Sequence, residues 1–205
     1  MSKGASERRA APPLLVVISG PSGVGKDTVM RGALERDERL TRALTMTDRP
    51  RRSHEVDGVH YDFVTTEDFE SQIEAGELLE HAVVHGQYKG SPRRRVREAL
   101  ASGRDVLLQL DVQGARTLRA LVPGALFVYL APDPSSDLDA HLRGRHEDEA
   151  TIARRRQDRE DELAAASEYD HVIVNREGDP DAAAEALVEL LERERAREGR
   201  ANLEV

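Results

Sequence analysis

The chain has 205 residues, a net charge of −9 and no cysteine. The negative charge argues against nucleic-acid binding as the main task, because that task needs a positive field, and the lack of cysteine excludes disulfides and thiolate metal sites. No apolar run approaches the ~18–20 residues of a membrane span, and the polar start has no signal-peptide core. We therefore expect one compact domain in a bacterial-type cytoplasm, after a disordered leader at residues 1–13, with no nucleic-acid or membrane partner.

The first predicted strand leads into a glycine-rich loop and a helix. Residues 14–19, LLVVIS, form the continuous apolar run that is typical of a buried parallel strand, and residues 26–35 suit a helix. The sequence between them nearly matches the phosphate-binding pattern G-x-x-x-x-G-K-[ST], in which glycines turn backbone amides toward an anion and the lysine bridges phosphates. An ordinary strand–helix turn is the alternative. The predicted nucleotide-binding loop comprises Gly20, Pro21, Ser22, Gly23, Val24, Gly25, Lys26, Asp27 and Thr28.

The residue after the loop lysine departs from this pattern, because Asp27 stands where a serine or threonine is expected. A carboxylate is still a hard oxygen ligand that suits Mg²⁺, either directly or through a metal-bound water. We therefore predict that Asp27 is a metal ligand and that metal and nucleotide binding are strongly coupled. Two alternatives stay open: Thr28 could offer its hydroxyl instead, or Asp27 could only favour the first turn of the helix electrostatically.

Residues 45–91 consist of short, polar, turn-rich segments, which indicates an inserted lobe with a short helix at residues 66–76. In this lobe Arg49 and Arg52 are three apart on a proline-stiffened turn, so both could close on one phosphate. Tyr61 could add a hydroxyl donor. The alternative is a solvated basic loop.

Strands and helices alternate again after the lobe. This alternation predicts a doubly wound parallel α/β sheet. A second irregular segment, residues 143–159, is dense in arginine and acidic residues. Buried strands are expected at 106–110, 126–131 and 171–174. Helices are expected at about 92–102, with Ser91 as its cap, and at about 113–121, 135–143 and 181–197.

Six motifs in this order and spacing resemble the guanylate kinase family. They are GPSGVGK, T-x-x-x-R-x-x-R, EVDGVHYDFV, LLEHAVVHGQYKGS, LDVQGA and YDHVIVNREGDPDAA. The resemblance covers roughly residues 14–195. It implies a P-loop NTPase fold and an enzyme that uses Mg²⁺ and transfers the γ-phosphate of ATP to GMP or dGMP. It implies a domain at 14–200 that is a monomer or homodimer, with a core at 14–44, 92–140 and 160–197, a GMP-binding lobe at 45–91 and a helical lid at 141–159.

The resemblance also implies roles for the phosphate-binding residues. Lys26 and the loop amides would bind the β- and γ-phosphates of ATP, and Asn175 would lie near its ribose or adenine. The GMP phosphate would be held by Arg49, Arg52 and Tyr61. In this chain the tandem tyrosines usual in the family are replaced by Tyr88 and Lys89, and Lys89 is predicted to contact the same phosphate.

The guanine ring would be recognised by Glu80, whose carboxylate can accept hydrogen bonds from N1–H and the 2-amino group. Ser91 and Thr45 would lie near the base, and Asp111 would hold GMP and the water around the metal. The alternatives are that Glu80 is surface charge at a strand end and that Asp111 is a helix cap.

The implied lid would supply Arg145 and Arg155 to neutralise charge on the transferring phosphoryl group. Arg154 competes with Arg155 for this role, and helix-surface ion pairs are the alternative for all of them. The predicted catalytic residues are Lys26, Arg49, Arg145 and Arg155.

Two other functions fit parts of the sequence. A ribose-bisphosphate kinase shares the GKD loop but should lack a guanine-reading acid. A phosphopeptide-binding scaffold module shares the fold but should lack the loop lysine and glycines, which are intact here.

Overall fold

The computed structural model describes residues 12–53, 55–84, 86–133 and 164–199, together with residues 203 and 205. Several predictions from the sequence fall outside these ranges: most of the leader, the helix at 135–143 and the lid with Arg145, Arg154 and Arg155. The division into core, lobe and lid stays a prediction. None of the described helices combines the length and apolarity needed to cross a bilayer.

The described residues contain nine strands and five α-helices. The strands are β1 (Leu15–Ser19), β2 (Leu40–Arg42), β3 (Met46–Thr47), β4 (Asp62–Phe63), β5 (Leu78–Val84), β6 (Gln87–Pro92), β7 (Asp105–Gln109), β8 (Leu126–Pro132) and β9 (His171–Asn175). The helices are α1 (Lys26–Arg36), α2 (Thr66–Glu74), α3 (Arg93–Ala101), α4 (Val112–Leu121) and α5 (Pro180–Arg195), with a short 3₁₀ helix at Ala165–Glu168.

Five of these strands form a parallel sheet in the order β2-β7-β1-β8-β9. Every residue of β1 is buried, because helices cover both faces of the sheet. One face packs Val16 and Ile18 against α1 and α5, and the other packs Leu15 and Val17 against α3 and α4. The predicted parallel α/β fold is confirmed. Strand β2 was not predicted, because its three residues carry no apolar run.

The other four strands form a separate sheet in the order β4-β3-β6-β5 within residues 46–92. Strand β3 pairs in parallel with β4 and antiparallel with β6, and β6 pairs antiparallel with β5. Helix α2 packs on this sheet through Phe69, which stacks on Tyr88 at 5.0 Å between ring centroids. The sequence predicted the helix but not the strands, because β3 and β4 have only two residues each.

One predicted helix cap is wrong. Ser91 lies inside β6, where its hydroxyl donates to Glu80, and the residue that precedes the first turn of α3 is Pro92. Asp111 does form the helix cap that was the alternative to its predicted role in GMP binding, since its carboxylate precedes α4 and accepts the Gly114 N–H at 2.9 Å. The predicted contact of Asp111 with GMP stays a prediction.

Candidate active site

A cleft of about 180 Å³ lies between the carboxyl ends of the central strands and the second sheet. It brings together fourteen of the residues predicted from the sequence: Gly20, Ser22, Gly23, Gly25, Lys26, Asp27, Thr28, Thr45, Arg49, Arg52, Tyr61, Glu80, Lys89 and Asp111. Pro21, Val24, Ser91 and Asn175 do not line it. A larger cavity of about 610 Å³ lies at the opposite end of the central strands, away from the glycine-rich loop. The chemistry therefore points to the smaller cleft.

The glycine-rich loop joins β1 to α1 in a conformation that needs its glycines. A Cβ added at Gly20 would lie 2.2 Å from the carbonyl oxygen of Leu130, and Gly25 precedes α1 with a left-handed φ of 91°. The Lys26 ammonium donates to the carbonyls of Gly20 at 2.6 Å and Pro21 at 3.0 Å. Amides at a helix N-terminus and an ammonium over the loop form a cradle for phosphates.

Asn175, the last residue of β9, holds this loop from the side. Its amide nitrogen donates to the carbonyl of Val24 at 2.7 Å. A Cβ on Gly25 would lie 2.8 Å from the same nitrogen, so the glycine also makes room for the asparagine. The contact of Asn175 with ATP stays a prediction.

Asp27 lies in the first turn of α1 with its side chain 60% exposed. Its carboxylate accepts from Arg42 of β2 at 3.2 Å, and the same guanidinium reaches the side-chain oxygen of Gln109 at 3.4 Å. Arg42 was not among the site residues predicted from the sequence. A strand too short to predict places this arginine beside the aspartate, so its positive charge offsets the carboxylate.

The oxygen donors in the cleft suit Mg²⁺. Asp27, Thr28 and Asp111 all line it, and all offer hard oxygen atoms. The described residues hold no cluster of three or more metal-binding side chains. This arrangement fits a cation held by one or two carboxylates together with substrate phosphates.

Arg49 has a side chain that is only 10% exposed and is oriented by Glu55, a residue that was not predicted from the sequence. The guanidinium donates twice to the Glu55 carboxylate, at 2.7 and 2.5 Å, and lies 5.1 Å from the ring centre of Tyr61. Glu55 also accepts the backbone N–H of Arg52 at 2.9 Å. Burial alone would raise the pKa of Glu55, but the hydrogen bonds from Arg49 and the Arg52 backbone outweigh it and lower that pKa to about 2. The position of Glu55 three residues after Arg52 was the feature of the sequence that could have indicated this contact.

Tyr61 completes this corner of the cleft. Burial, followed by the negative charge of Asp27, raises the pKa of Tyr61, so the phenol remains protonated and can donate. Tyr88 points elsewhere, since its hydroxyl donates to Glu70 at 3.2 Å on the surface of α2. Lys89, paired with Thr47 in the sheet, lines the cleft instead.

Glu80 is a buried carboxyl group at the other end of the cleft, with 4% of its surface exposed. The Ser91 hydroxyl donates to it at 2.6 Å across the β5–β6 pair. Burial raises the pKa of Glu80 to about 7 and the negative charge of Asp111 adds to the rise, while Ser91 and Lys89 oppose it. The alternative of a surface charge for Glu80 is therefore wrong.

Comparisons with known proteins point to one family. The family model described as guanylate kinase matches residues 13–194. A guanylate kinase from Nocardia farcinica is 49% identical over 166 residues, which are 80% of this chain and 86% of that protein. One from Frankia casuarinae is 45% identical over 181 residues, or 88% and 97% of the two chains. The crystal structure of guanylate kinase from Anaplasma phagocytophilum superposes with a TM-score of 0.73 at 28% identity, covering 92% of this chain and 89% of that one.

Proposed function

This chain belongs to the guanylate kinase family, and from that premise we propose that it transfers the γ-phosphoryl group of ATP to GMP or dGMP, forming ADP and GDP or dGDP. The observation that carries this proposal is the pairing of two groups across one cleft. A phosphate-binding loop with Lys26 lies on the central sheet, and the buried carboxyl group of Glu80 lies on the second sheet.

The GMP end of the site uses the second sheet and the turn before it. Arg49 and Arg52 bind the GMP phosphate with Tyr61 and Lys89, and Glu55 orients the Arg49 guanidinium. The ionised carboxylate of Glu80 accepts the guanine N1–H and 2-amino hydrogens, whereas adenine presents an acceptor at N1. Thr45 and Asp111 line the same end of the cleft and complete the contacts to GMP.

The ATP end uses the loop and its supports. The amides of residues 20–28 and the Lys26 ammonium bind the β- and γ-phosphates. Asn175 fixes the loop through Val24. The side-chain oxygen of Asn175 is buried without a hydrogen-bond partner among the described residues, which supports its use as an acceptor near the ATP ribose or adenine.

Mg²⁺ would be held by Asp27, with Thr28 or Asp111 acting directly or through water, and it supplies positive charge that offsets the phosphates. Arg42 lies beside Asp27 and keeps this carboxylate in place before the nucleotide binds.

Phosphoryl transfer needs positioning and charge neutralisation more than covalent chemistry by the protein. An oxygen of the GMP phosphate attacks the γ-phosphorus, and the bond from that phosphorus to the β–γ bridging oxygen breaks, leaving the electron pair on ADP. Because the second pKa of a phosphate monoester is about 6, the nucleophile is already ionised near neutral pH and needs no general base. Lys26 and Arg49, together with Arg145 and Arg155 of the proposed lid, neutralise the transferring group.

The proposed motions and surroundings follow from this chemistry. The lobe at 45–91 closes over GMP and the lid at 141–159 closes over ATP, so water is excluded only when both substrates are bound. We propose the cytoplasm as the location and a monomer or homodimer as the working form.

ADP release measured with a panel of acceptors tests the proposal. The panel contains GMP, dGMP, AMP, UMP and ribose 1,5-bisphosphate, each with ATP and Mg²⁺. We expect rapid release with GMP and dGMP only. Release that is absent or independent of GMP would contradict the proposal, and release that depends on ribose 1,5-bisphosphate would indicate a ribose-bisphosphate kinase. Binding of phosphopeptides without turnover would indicate a scaffold module.

A further inference from the structure

Gly114 lies in the first turn of α4, at the point where the central domain meets the buried carboxyl group of the second sheet. A Cβ added at Gly114 would lie 2.5 Å from Oε2 of Glu80 and 3.1 Å from its carboxyl carbon. Neither distance is compatible with van der Waals contact. The Glu80 carboxyl group therefore occupies space that exists only because residue 114 has no side chain.

The backbone of Gly114 does not itself require glycine. The residue is helical and has no positive φ. Alanine has a higher helix propensity than glycine, so the substitution favours the helix as far as the backbone is concerned. The steric cost of alanine at this position falls on one atom group, the end of the Glu80 side chain.

Gly114 also holds the second acid of the site. Its N–H donates to Asp111 at 2.9 Å, which fixes the start of α4. On the other side, Glu80 is held by the Ser91 hydroxyl at 2.6 Å. Both carboxyl groups at the guanine end of the cleft therefore depend on this glycine. Its N–H holds Asp111, and its missing Cβ leaves room for Glu80.

We propose that Gly114 is a positioning residue for guanine recognition, because its bare backbone sets where the Glu80 carboxyl group can lie. This inference rests on the proposed function, in which Glu80 binds the guanine edge. A larger residue 114 displaces the carboxyl group from Ser91 and from the place where it meets the base. The phosphate loop is on the other side of the cleft and is not disturbed.

Steady-state kinetics of Gly114→Ala test the proposal. We expect KM for GMP to rise on the order of tenfold and the preference for GMP over AMP to narrow, while KM for ATP stays within about twofold. The melting temperature should fall only modestly, because one buried hydrogen bond is lost while the backbone of the helix is kept. Gln113→Ala is the matched control: it is exposed on the same helical turn and should leave all these quantities unchanged.

A double-mutant cycle isolates the contact. Glu80→Asp shortens the acid by one methylene group, so Gly114→Ala should lower kcat/KM for GMP much less in that background than in the parent. An equal fold-loss in both backgrounds, or an unchanged KM for GMP in Gly114→Ala, would overturn the proposal.

A crystal structure of Gly114→Ala separates failure of this proposal from failure of the proposed function. The Ser91–Glu80 hydrogen bond should be broken and the carboxyl group displaced. A carboxyl group that keeps its position overturns the proposal whatever the activity is. A parent enzyme that does not phosphorylate GMP overturns the proposed function and the role of Gly114 in guanine recognition, whereas a displaced carboxyl group in that case would still show that Gly114 sets the position of Glu80.

Discussion

At the scale of single residues, the carboxylate of Asp27 forms an ion pair at the edge of the cleft. Arg42 donates to it at 3.2 Å, and the phosphate-binding loop leaves it 60% exposed at the edge of the cleft. An exposed ion pair of this kind contributes little to stability, about 0–1 kcal/mol. Stability therefore does not explain why residue 27 is an aspartate, and the hypothesis that Asp27 is a metal ligand is the more informative one.

Asp27→Ala should raise the Mg²⁺ concentration needed for half-maximal turnover on the order of tenfold and lower turnover, because a hard oxygen ligand is lost. KM for GMP should hardly change. Asp27→Ser restores a neutral oxygen and should recover much of the Mg²⁺ response. Mg²⁺ titrations of the ADP-release rate provide the measurement. Superimposable titrations of Asp27→Ala and the parent would show that Asp27 only stabilises the helix.

The pKa of Glu80 predicts a pH dependence of GMP binding. Burial raises this pKa from 4.5 to about 7, so the free enzyme becomes protonated as the pH falls through 7. The protonated acid cannot accept both guanine hydrogens, and KM for GMP should therefore rise on the order of tenfold between pH 8 and pH 6.

Glu80→Gln is the control for this pH dependence, since it removes the ionisation but keeps the size of the side chain. Its KM for GMP should follow only the ionisation of the GMP phosphate, whose second pKa is about 6. Parallel pH profiles for the two proteins would rule out Glu80 as the titrating group.

At the scale of secondary-structure elements, a buried ion network ties the end of α5 to the central sheet. Arg195 donates to Asp37 at 2.6 Å and to Asp105 at 2.5 Å, and Asp105 accepts the backbone N–H of Leu14 at 2.6 Å. Burial would raise the pKa of Asp37, but hydrogen bonds from Arg39 and Arg195 outweigh it and lower that pKa to about 2. The network lies at the end of the sheet opposite the cleft.

Arg195→Met should lower the free energy of unfolding by about 3–5 kcal/mol, because it removes the charged partner of the buried Asp105 carboxylate and leaves Asp37 with Arg39 alone. Arg193→Met changes an exposed residue of the same helix and should cost less than about 0.5 kcal/mol. Denaturant unfolding at neutral pH measures both. Equal stabilities of the two variants would contradict the role of the network, and a changed KM for GMP would contradict its separation from the site.

The same network predicts how the stability of the protein depends on pH in acidic solution. Because the folded-state pKa of Asp37, about 2, is below the unfolded value of 3.8, its contribution is complete above pH 3.8. It is lost as the pH falls toward 2. Asp37→Asn should therefore be less stable than the parent at neutral pH, and the difference should shrink between about pH 4 and pH 2. A difference that is constant with pH would contradict this assignment.

At the scale of the whole molecule, the sequence predicted the central sheet better than the second sheet. Runs such as residues 14–19 and 126–131 are long and apolar because helices cover both faces of the sheet, and this pattern is visible in one dimension. Strands β3 and β4 have two residues each. Strand β3 lies between β4 and the distant β6, and this pairing leaves no local pattern in the sequence.

In the candidate site, too, residues that are adjacent in the chain were predicted, whereas contacts between distant residues were not. Glycines and Lys26 follow one another in the chain and were predicted directly. The contacts of Arg42 with Asp27, of Asn175 with Val24 and of Gly114 with Glu80 join residues that lie 15 to 151 positions apart or on different sheets. Only the folded chain brings these residues together, so no local pattern in the sequence could predict the contacts.

The most direct test of the account compares kcat/KM for GMP and for AMP in the parent and in Glu80→Gln. A site with a buried acid for the guanine edge should prefer GMP by on the order of 10⁴, because adenine leaves that acid without a donor. Glu80→Gln should narrow the preference at least about tenfold, mainly by lowering kcat/KM for GMP. A parent without a GMP preference, or a variant with an undiminished one, would contradict the central claim that this cleft recognises guanine through Glu80.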